Sequence, residues 1–191
     1  ETINRVRSSS RLHWISGVVN GTTNFILDQI ANGCDLSSAV VVAQRQGYAE
    51  RDPQLDLNGT DAAQKLVLLA RTAFDLDLSL TSIHKQGIED LKADSIREAK
   101  SNGRITRLVA QCQRGPHGFS ATVSPVELPF DDPLAISGVE NRLINNSESG
   151  RSWHVSGRGA GRWPTTEAIL GDLFDLRRES IIAAAEEECV A

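Results

Sequence analysis

The chain has 191 residues, a formal net charge of −5 and 40% hydrophobic residues, a composition typical of a globular protein with one large domain or two small ones. Its basic residues are scattered without a cluster, which argues against nucleic acid or an anionic membrane as the main partner. No apolar run approaches the roughly 20 residues of a membrane span, and the first residues lack the apolar core of a signal peptide. We therefore expect a cytoplasmic protein.

Cysteine, histidine and methionine give further limits. The three cysteines, at positions 34, 112 and 189, are far apart and in no spacing typical of metal ligands, and the four histidines are equally scattered. The sequence therefore predicts reduced thiols and no metal site. The chain contains no methionine, not even at position 1, and we expect it to be a piece of a longer polypeptide.

The first quarter of the chain is predicted to hold one strand and two helices. Segment 12–19 is short, apolar and rich in β-branched residues, which indicates a strand. Thr22 or Thr23 can cap the helix that should follow it. Asp35 is the expected N-cap of a second helix, whose apolar residues recur at helical spacing up to Ala43.

The next segments predict an acidic loop and two more helices. Loop residues such as proline and Asn-Gly punctuate the stretch that follows residue 47. A third helix should be capped by Asn58 or Thr60 and should end near Asp75. A polar fourth helix should run from about residue 89 to residue 100.

From residue 105 the apolar period changes to that of strands. Segments 105–113 and 119–126 flank a glycine- and proline-containing turn, which predicts an antiparallel hairpin. Because helices come first and strands second, we predict an α+β fold in which helices cover one face of a largely antiparallel or mixed sheet. Further predicted elements are strands at 142–145 and 152–156 and a helix from about residue 166.

A catalytic lysine is one interpretation of the helix that follows the acidic loop. Asp61 and Lys65 are four residues apart, so their side chains project from the same helix face. Stabilisation of an exposed helix explains such a pair on its own. The neighbouring residues are apolar, however, and a partly buried lysine with acidic partners can serve in proton transfer.

The acidic loop itself has two interpretations. Glu50 and Asp56 are candidate ligands for the ammonium group of a substrate, since loops on a rigid scaffold often carry binding residues. A solvated acidic loop without a binding role is the alternative. The residues alone leave both interpretations open.

Two glycine-containing junctions are further candidates. Asn20-Gly21-Thr22-Thr23 lies between a strand and a helix, where backbone N–H groups can hold a carboxylate, although capping alone would explain the threonines. The turn Gly157-Arg-Gly-Ala-Gly precedes the last helix and suits the close approach of a flat ring or a phosphate. Taken alone, a glycine-rich turn is weak evidence.

Three ordered motifs together carry a family resemblance. They are Gly17-Val-Val-Asn-Gly-Thr-Thr-Asn-Phe-Ile-Leu; Gly47-Tyr-Ala-Glu followed by Asp56-Leu-Asn-Gly-Thr-Asp-Ala-Ala-Gln-Lys; and Gly159-Ala-Gly-Arg-Trp-Pro-Thr with Gly171-Asp172 downstream. The chain resembles the substrate-binding catalytic domain of homoserine dehydrogenase. We expect this domain at residues 12–177, between a polar N-terminal segment at 1–11 and an acidic, alanine-rich tail at 178–191.

The resemblance implies roles for individual residues. The implied reaction is the NAD(P)-dependent interconversion of L-aspartate 4-semialdehyde and L-homoserine, a step of threonine, methionine and isoleucine biosynthesis. Lys65 would donate and accept the proton at the substrate oxygen, Asp61 would be its acidic companion, and Glu50 would hold the substrate ammonium. The other implied pocket residues are Asp56, Tyr48, Gly21 and Thr22, and the implied contacts with the nicotinamide end of the cofactor are Gly161, Ala160 and Thr165.

The cofactor site is expected to be incomplete in this chain. Residues 1–46 offer no βαβ unit with the glycine-rich fingerprint of a dinucleotide-binding fold. Most of the NAD(P) site would therefore lie in a separate Rossmann domain, and we expect the isolated chain to have little turnover. The resemblance also implies a homodimer formed through the sheet. A non-catalytic dimerisation or amino-acid-sensing domain of the same family is the alternative.

Overall fold

The computed structural model describes residues 3, 6, 11–159, 166, 169–178 and 180. The chain divides into two units, residues 1–159 and residues 160–191, and each is described by itself. The described part of the second unit is helical over residues 169–178. No described helix has the length and apolar character that a membrane crossing requires.

The first unit contains a sheet and the helices that pack on it. The strands are β1 (Leu12–Val18), β2 (His84–Lys85), β3 (Arg104–Gly115), β4 (Gly118–Pro129), β5 (Glu140–Ser147) and β6 (Ser152–Arg158). The helices are α1 (Gly21–Ala31), α2 (Leu36–Arg45), α3 (Gln54–Leu57), α4 (Thr60–Phe74) and α5 (Ala93–Ser101), with a single 3₁₀ turn at Leu80–Ser82.

The sheet is mixed, with the strand order β2-β4-β3-β1-β5-β6. The parallel pairing between β2 and β4 covers two residue pairs, and the other neighbouring strands are antiparallel. The hairpin of β3 and β4 is continuous in register from Arg104 opposite Pro129 to Gly115 opposite Gly118. This arrangement confirms the predicted α+β class and the predicted hairpin, whose strands are longer than the sequence indicated.

Helices cover one face of the sheet, as predicted. Leu108, Ala110 and Cys112 of β3 are buried in the same apolar cluster as the inward residues of α1, α4 and α5. Side chains alternate along a strand, and Val109 accordingly lies in a second cluster on the opposite face, with residues such as Ile144. The segment that connects β4 to β5 contributes Leu134 and Ile136 to this second cluster, and none of the described helices contributes to it.

The cap of α1 differs from the prediction. Asn20, rather than Thr22 or Thr23, is the N-cap, and its side-chain oxygen accepts a hydrogen bond from the backbone N–H of Thr23 at 2.8 Å. The hydroxyl of Thr23 instead donates to the backbone oxygen of Asn20 at 2.9 Å. The predicted cap of α2 is confirmed, since Asp35 accepts from the N–H of Ser38 at 2.7 Å.

The start of α4 also differs from the prediction. Neither Asn58 nor Thr60 is the N-cap; Gly59 takes that position with a φ of 77° and no side-chain cap bond. Glycine adopts this left-handed conformation without steric cost, so it allows the chain to turn sharply from α3 into α4. The predicted end of this helix is confirmed, because Asp75 is its C-cap.

Short elements account for the remaining differences. The loop predicted after residue 47 contains the four-residue helix α3, and the two-residue strand β2 was not predicted. Both are too short to show an apolar period. The helix expected from residue 89 begins at Ala93, because residues 89 and 90 form a turn and Lys92 has extended backbone.

Candidate functional site

An asparagine links two carboxylates where β1 passes into α1. The side-chain nitrogen of Asn20 donates to an oxygen of Asp56 at 2.6 Å and to an oxygen of Asp61 at 2.8 Å. Asn20 is 3% exposed, and its side-chain oxygen is held by the cap bond of α1. The α1 cap therefore fixes the amide that brings α3 and the first turn of α4 together.

Lys65 joins the same cluster one turn further along α4. Its ammonium nitrogen lies 2.7 Å from a carboxylate oxygen of Asp61 and donates to the backbone oxygen of Val19 at 3.0 Å. The Lys65 side chain is 44% exposed and that of Asp61 is 29% exposed. The lysine is thus held at two points while its ammonium group remains within reach of a ligand.

Close backbone contacts position these elements. A Cβ atom at Gly21 would lie 2.7 Å from the backbone oxygen of Val139, and one at Gly87 would lie 2.2 Å from the backbone oxygen of Leu57. Real Cβ atoms do not approach backbone this closely, so both positions require glycine. The glycine at 21 lets α1 begin against the strand connection, and the glycine at 87 lets the chain cross over the end of α3.

The other predicted pocket residues flank the cluster. The hydroxyl of Thr22 donates to the backbone oxygen of Tyr48 at 2.6 Å, and the ring of Tyr48 lies 5.0 Å from that of Phe25. These contacts tie the segment after α2 to the start of α1. Glu50 follows on this segment and is exposed. Its negative charge acts to raise the pKa of Asp56.

The electrostatics of the cluster are concentrated on Asp56. Burial raises the pKa of Asp56 above its usual value, and the negative charges of Asp61 and Glu50 act in the same direction. The hydrogen bond from Asn20 and the charge of Lys65 lower the pKa but do not offset burial and repulsion. Asp56 is therefore held in a place that disfavours its charge, a frequent property of functional carboxylates.

Replacing Asp56 with asparagine is expected to stabilise the fold at neutral pH. An acid whose pKa is raised in the folded state loses stability as the pH rises through the unfolded and then the folded pKa, and the loss is complete above both. Asp56→Asn removes this ionisation and keeps an acceptor for Asn20. Denaturant unfolding should show the stability advantage of the variant growing from pH 3.5 to pH 7. An advantage that is constant with pH would contradict this account of Asp56.

The structure brings together the predicted residues of the acidic segment and of the α1 start. Asp56, Asp61 and Lys65 converge on the junction that contains Gly21 and Thr22, with Tyr48 beside it, and the exposed Glu50 follows on the Tyr48 segment. The predicted cofactor contacts, Ala160, Gly161 and Thr165, lie outside the described residues. Among the described residues, no group of three or more His, Cys, Asp or Glu side chains is arranged to hold a metal ion.

Asn20 is the residue that the sequence did not single out. Its partners Asp56 and Asp61 are 36 and 41 residues away, which no local pattern indicates. The signal that could have found it is its position directly before Gly21 at a strand end, where asparagine is a favoured N-cap.

The arrangement suits proton exchange with a polar, cationic ligand. A lysine held by a carboxylate and a backbone carbonyl can pass a proton to a nearby oxygen, and the surrounding carboxylates favour an ammonium group. Fold and site together define the class as an α+β domain with an acid–lysine cluster at the start of two helices. A sequence profile of the family described as homoserine dehydrogenase matches residues 1–174, and the chain belongs to this family.

Individual relatives agree with the family assignment. The chain is 34% identical over 186 residues to the homoserine dehydrogenase of Corynebacterium glutamicum, covering 94% of this chain and 42% of the relative. The crystal structure of a homoserine dehydrogenase from Thiobacillus denitrificans superposes with a TM-score of 0.85 at 31% identity, over 93% of this chain and 42% of the other. The chain thus spans about two fifths of the length of these relatives.

Two further relatives bear on the cofactor. A protein of Pseudomonas canavaninivorans, 35% identical over 91% of this chain and 50% of its own length, is named an NAD(+)-dependent homoserine dehydrogenase. A hyperthermophilic archaeal homoserine dehydrogenase mutant was solved in complex with NADPH and matches with a TM-score of 0.76 at 25% identity, over 93% of this chain and 51% of the other. Both nicotinamide cofactors therefore occur among proteins similar to this chain.

Proposed function

We propose that this chain is the substrate-binding and proton-transferring part of a homoserine dehydrogenase, which interconverts L-aspartate 4-semialdehyde and L-homoserine. The observation that carries the proposal is the cluster in which Lys65 is held beside Asp61, while Asn20 joins Asp61 to Asp56. The family assignment supplies the reaction class, and the cluster supplies groups suited to it. We place the domain at residues 12–177.

Lys65 is the proposed acid and base of the reaction. Reduction of the aldehyde turns its carbonyl oxygen into an alkoxide, which needs a proton, and oxidation of homoserine reverses this transfer. The Lys65 ammonium can supply that proton, and Asp61 stabilises the charged form of the lysine at 2.7 Å. The bond to Val19 directs the ammonium toward the end of β1, where the substrate would lie.

The amino-acid end of the substrate has matching groups in the same place. The negative charge of Glu50 acts on Asp56, and an ammonium ion bound beside the two carboxylates would offset that repulsion. The N-terminal end of α1, at Gly21 and Thr22, offers backbone N–H groups and the positive end of the helix dipole to the substrate carboxylate. Tyr48 borders this pocket through its contact with Thr22.

The described residues do not by themselves fit the cofactor. Their parallel strand pairing is limited to the two residues of β2, whereas a dinucleotide-binding fold uses successive parallel βαβ units. The motif resemblance is the basis of two further proposals. The nicotinamide end of the cofactor contacts Gly161, Ala160 and Thr165, and the remaining cofactor site lies in a separate domain.

A homodimer through the sheet is a further part of the proposal. The face opposite the helices carries apolar residues that are only partly covered, such as Trp14 and the 37% exposed Val126. Apolar area on a sheet face favours association with another surface.

We also propose that the protein is cytoplasmic. This follows from the proposed reaction, whose substrates are soluble metabolites.

The enzymatic proposal is tested by comparing two forms of the chain. The isolated chain should oxidise NADH or NADPH with aspartate semialdehyde only very slowly. The same chain, joined to the rest of the Corynebacterium glutamicum relative, where we expect the nucleotide-binding domain, should do so readily. Robust turnover by the isolated chain would show that this chain contains a working cofactor site, against our expectation. Inactivity of a folded joined protein with both cofactors would count against catalysis and favour the non-catalytic alternative.

A further inference from the structure

A cavity of about 480 Å³ lies at the other end of α1 from the acidic cluster. Its volume is within the range of small-molecule sites. Since α1 has 11 residues and a helix rises about 1.5 Å per residue, the C-terminal end of α1 lies about 16 Å from Asn20 along the helix axis. The lining comes from the C-terminal half of α1, from α5, from the start of β3 and from the β4–β5 connection.

Two cationic side chains stand on either side of one tight turn at this cavity. Lys100 is in the last turn of α5, Arg104 is the first residue of β3, and Gly103 between them has a φ of 73°. Both line the cavity. The Lys100 ammonium donates to the neutral side-chain oxygen of Asn32 at 2.6 Å, and in the described part of the chain no carboxylate lies within ion-pair distance of it.

The buried charges of the cavity wall are already balanced. Arg107 is 1% exposed and is paired with Asp28. The second carboxylate oxygen of Asp28 accepts from the backbone N–H of Gly138 at 2.7 Å, so this acid is fully engaged. The lining therefore holds three cations and one neutralised carboxylate. Arg104 pairs with Glu127, whose carboxylate lies 3.7 Å from its guanidinium and is not part of the lining. The positive charge of Lys100 has no acidic partner among the described residues and remains available for an anion.

Apolar and polar groups complete the lining. Leu27 and Ile96 face the cavity from the helices, and Phe130, which is 57% exposed, stands at its rim. The N–H of Phe130 donates to the backbone oxygen of Gly103 at 3.2 Å, which holds the ring next to the cationic turn. Thr106 also lines the cavity, is 7% exposed, and has a buried hydroxyl without a hydrogen-bond partner among the described residues.

We propose that this cavity is a second ligand site, which takes a small carboxylate with an aromatic or branched apolar body. The carboxylate pairs with Lys100, with the guanidinium of Arg104 on the other side of the turn, and the apolar body packs against Leu27 and Ile96 under the ring of Phe130. Such a ligand combines the two features that the lining offers together. The site around Lys65 is proposed to bind an ammonium group between its carboxylates, which such a ligand lacks, so the two sites differ in the ligands they favour.

Phenylacetate is the probe, and its uncharged isostere phenylacetamide is the matched comparison. Titration into the ¹⁵N-labelled full chain should move the amide signals of residues 27–32, 96–106 and 130, with an affinity in the millimolar range expected for a ligand of this size. Phenylacetamide should bind about fivefold to tenfold more weakly, because it lacks the charge. Signals of Asn20 and Lys65 should not move.

Two variants separate the proposed site from adventitious binding. Lys100→Gln should weaken phenylacetate binding to the level of the amide, whereas Lys92→Gln, on an exposed lysine outside the cavity, should not. Ala31→Leu should fill part of the cavity and abolish binding, with an unchanged far-UV spectrum as the check on folding. No signal change at millimolar phenylacetate, or equal binding of acid, amide and Lys100→Gln, would overturn the proposal.

Discussion

Replacing Lys65 with alanine should lower kcat of the joined enzyme by about 10²- to 10⁴-fold, the range attributed to a positioned acid–base group. The Lys65 ammonium is the proposed proton donor, and no described side chain shares its position between Asp61 and Val19. The KM for L-homoserine should change little, because Glu50 and Asp56 are the proposed ligands of its ammonium group. Steady-state kinetics on the chain joined to a nucleotide-binding domain measures both quantities.

A matched variant controls for the loss of a lysine. Lys92→Ala removes an exposed lysine at the N-cap of α5, where no side-chain cap bond exists, and its kinetics should equal those of the unchanged enzyme. Lys65→Arg keeps the positive charge, but a guanidinium group gives up its proton much less readily than an ammonium group. The kcat of this variant should therefore stay well below that of the unchanged enzyme. If Lys65→Ala retained the kcat of the Lys92→Ala enzyme, Lys65 would not be the proton donor.

Replacing Asn20 with alanine should cost about 2–4 kcal/mol of unfolding free energy. The change removes the cap of α1, typically worth about 1 kcal/mol, and two hydrogen bonds to carboxylates, each worth about 1.5–3 kcal/mol when buried and less where water can replace them. Denaturant unfolding of the isolated chain followed by far-UV circular dichroism gives this value. The pKa of Asp56 should rise further, because its bond from Asn20 lowers it.

Two comparisons test the bridging role of Asn20 against simple capping. Asp35→Ala removes the exposed cap of α2 and should cost clearly less than Asn20→Ala. Asn20→Asp retains a good capping oxygen but puts a third carboxylate against Asp56 and Asp61, so its stability should be low at pH 7 and should recover as the pH falls toward 4. Equal losses for the two alanine variants, with a pH-independent Asn20→Asp, would mean that Asn20 acts only as a cap.

Patterns local in sequence predicted much of the fold. The apolar, β-branched run of β1, the Asp35 cap and the alternation in the β3–β4 hairpin each depend on residues within one element. Elements of two to four residues, such as α3 and β2, have no period to detect. Their formation depends on tertiary contacts, such as the close approach of Gly87 to Leu57, which the sequence does not reveal.

The candidate site likewise combines contacts that local sequence patterns predict with contacts that depend on tertiary packing. The spacing of Asp61 and Lys65 on one helix predicts their contact, and the structure places their charged atoms 2.7 Å apart. The link from Asn20 to Asp56 crosses 36 residues and follows from the packing of α1 beside α3. The raised pKa of Asp56 comes mainly from burial, which depends on that packing as well. Sequence motifs could therefore nominate the acids but not the asparagine that joins them.

The most direct test of the proposed substrate pocket is a titration of L-homoserine into the isolated, ¹⁵N-labelled chain. We expect saturable, millimolar binding that moves the amide signals of Gly21, Thr22, Glu50 and the first turn of α4. Glu50→Gln should weaken this binding, and Glu89→Gln, on an exposed acid outside the cluster, should not. The absence of binding at millimolar L-homoserine, in a chain shown to be folded, would contradict the assignment of this cluster as the substrate site.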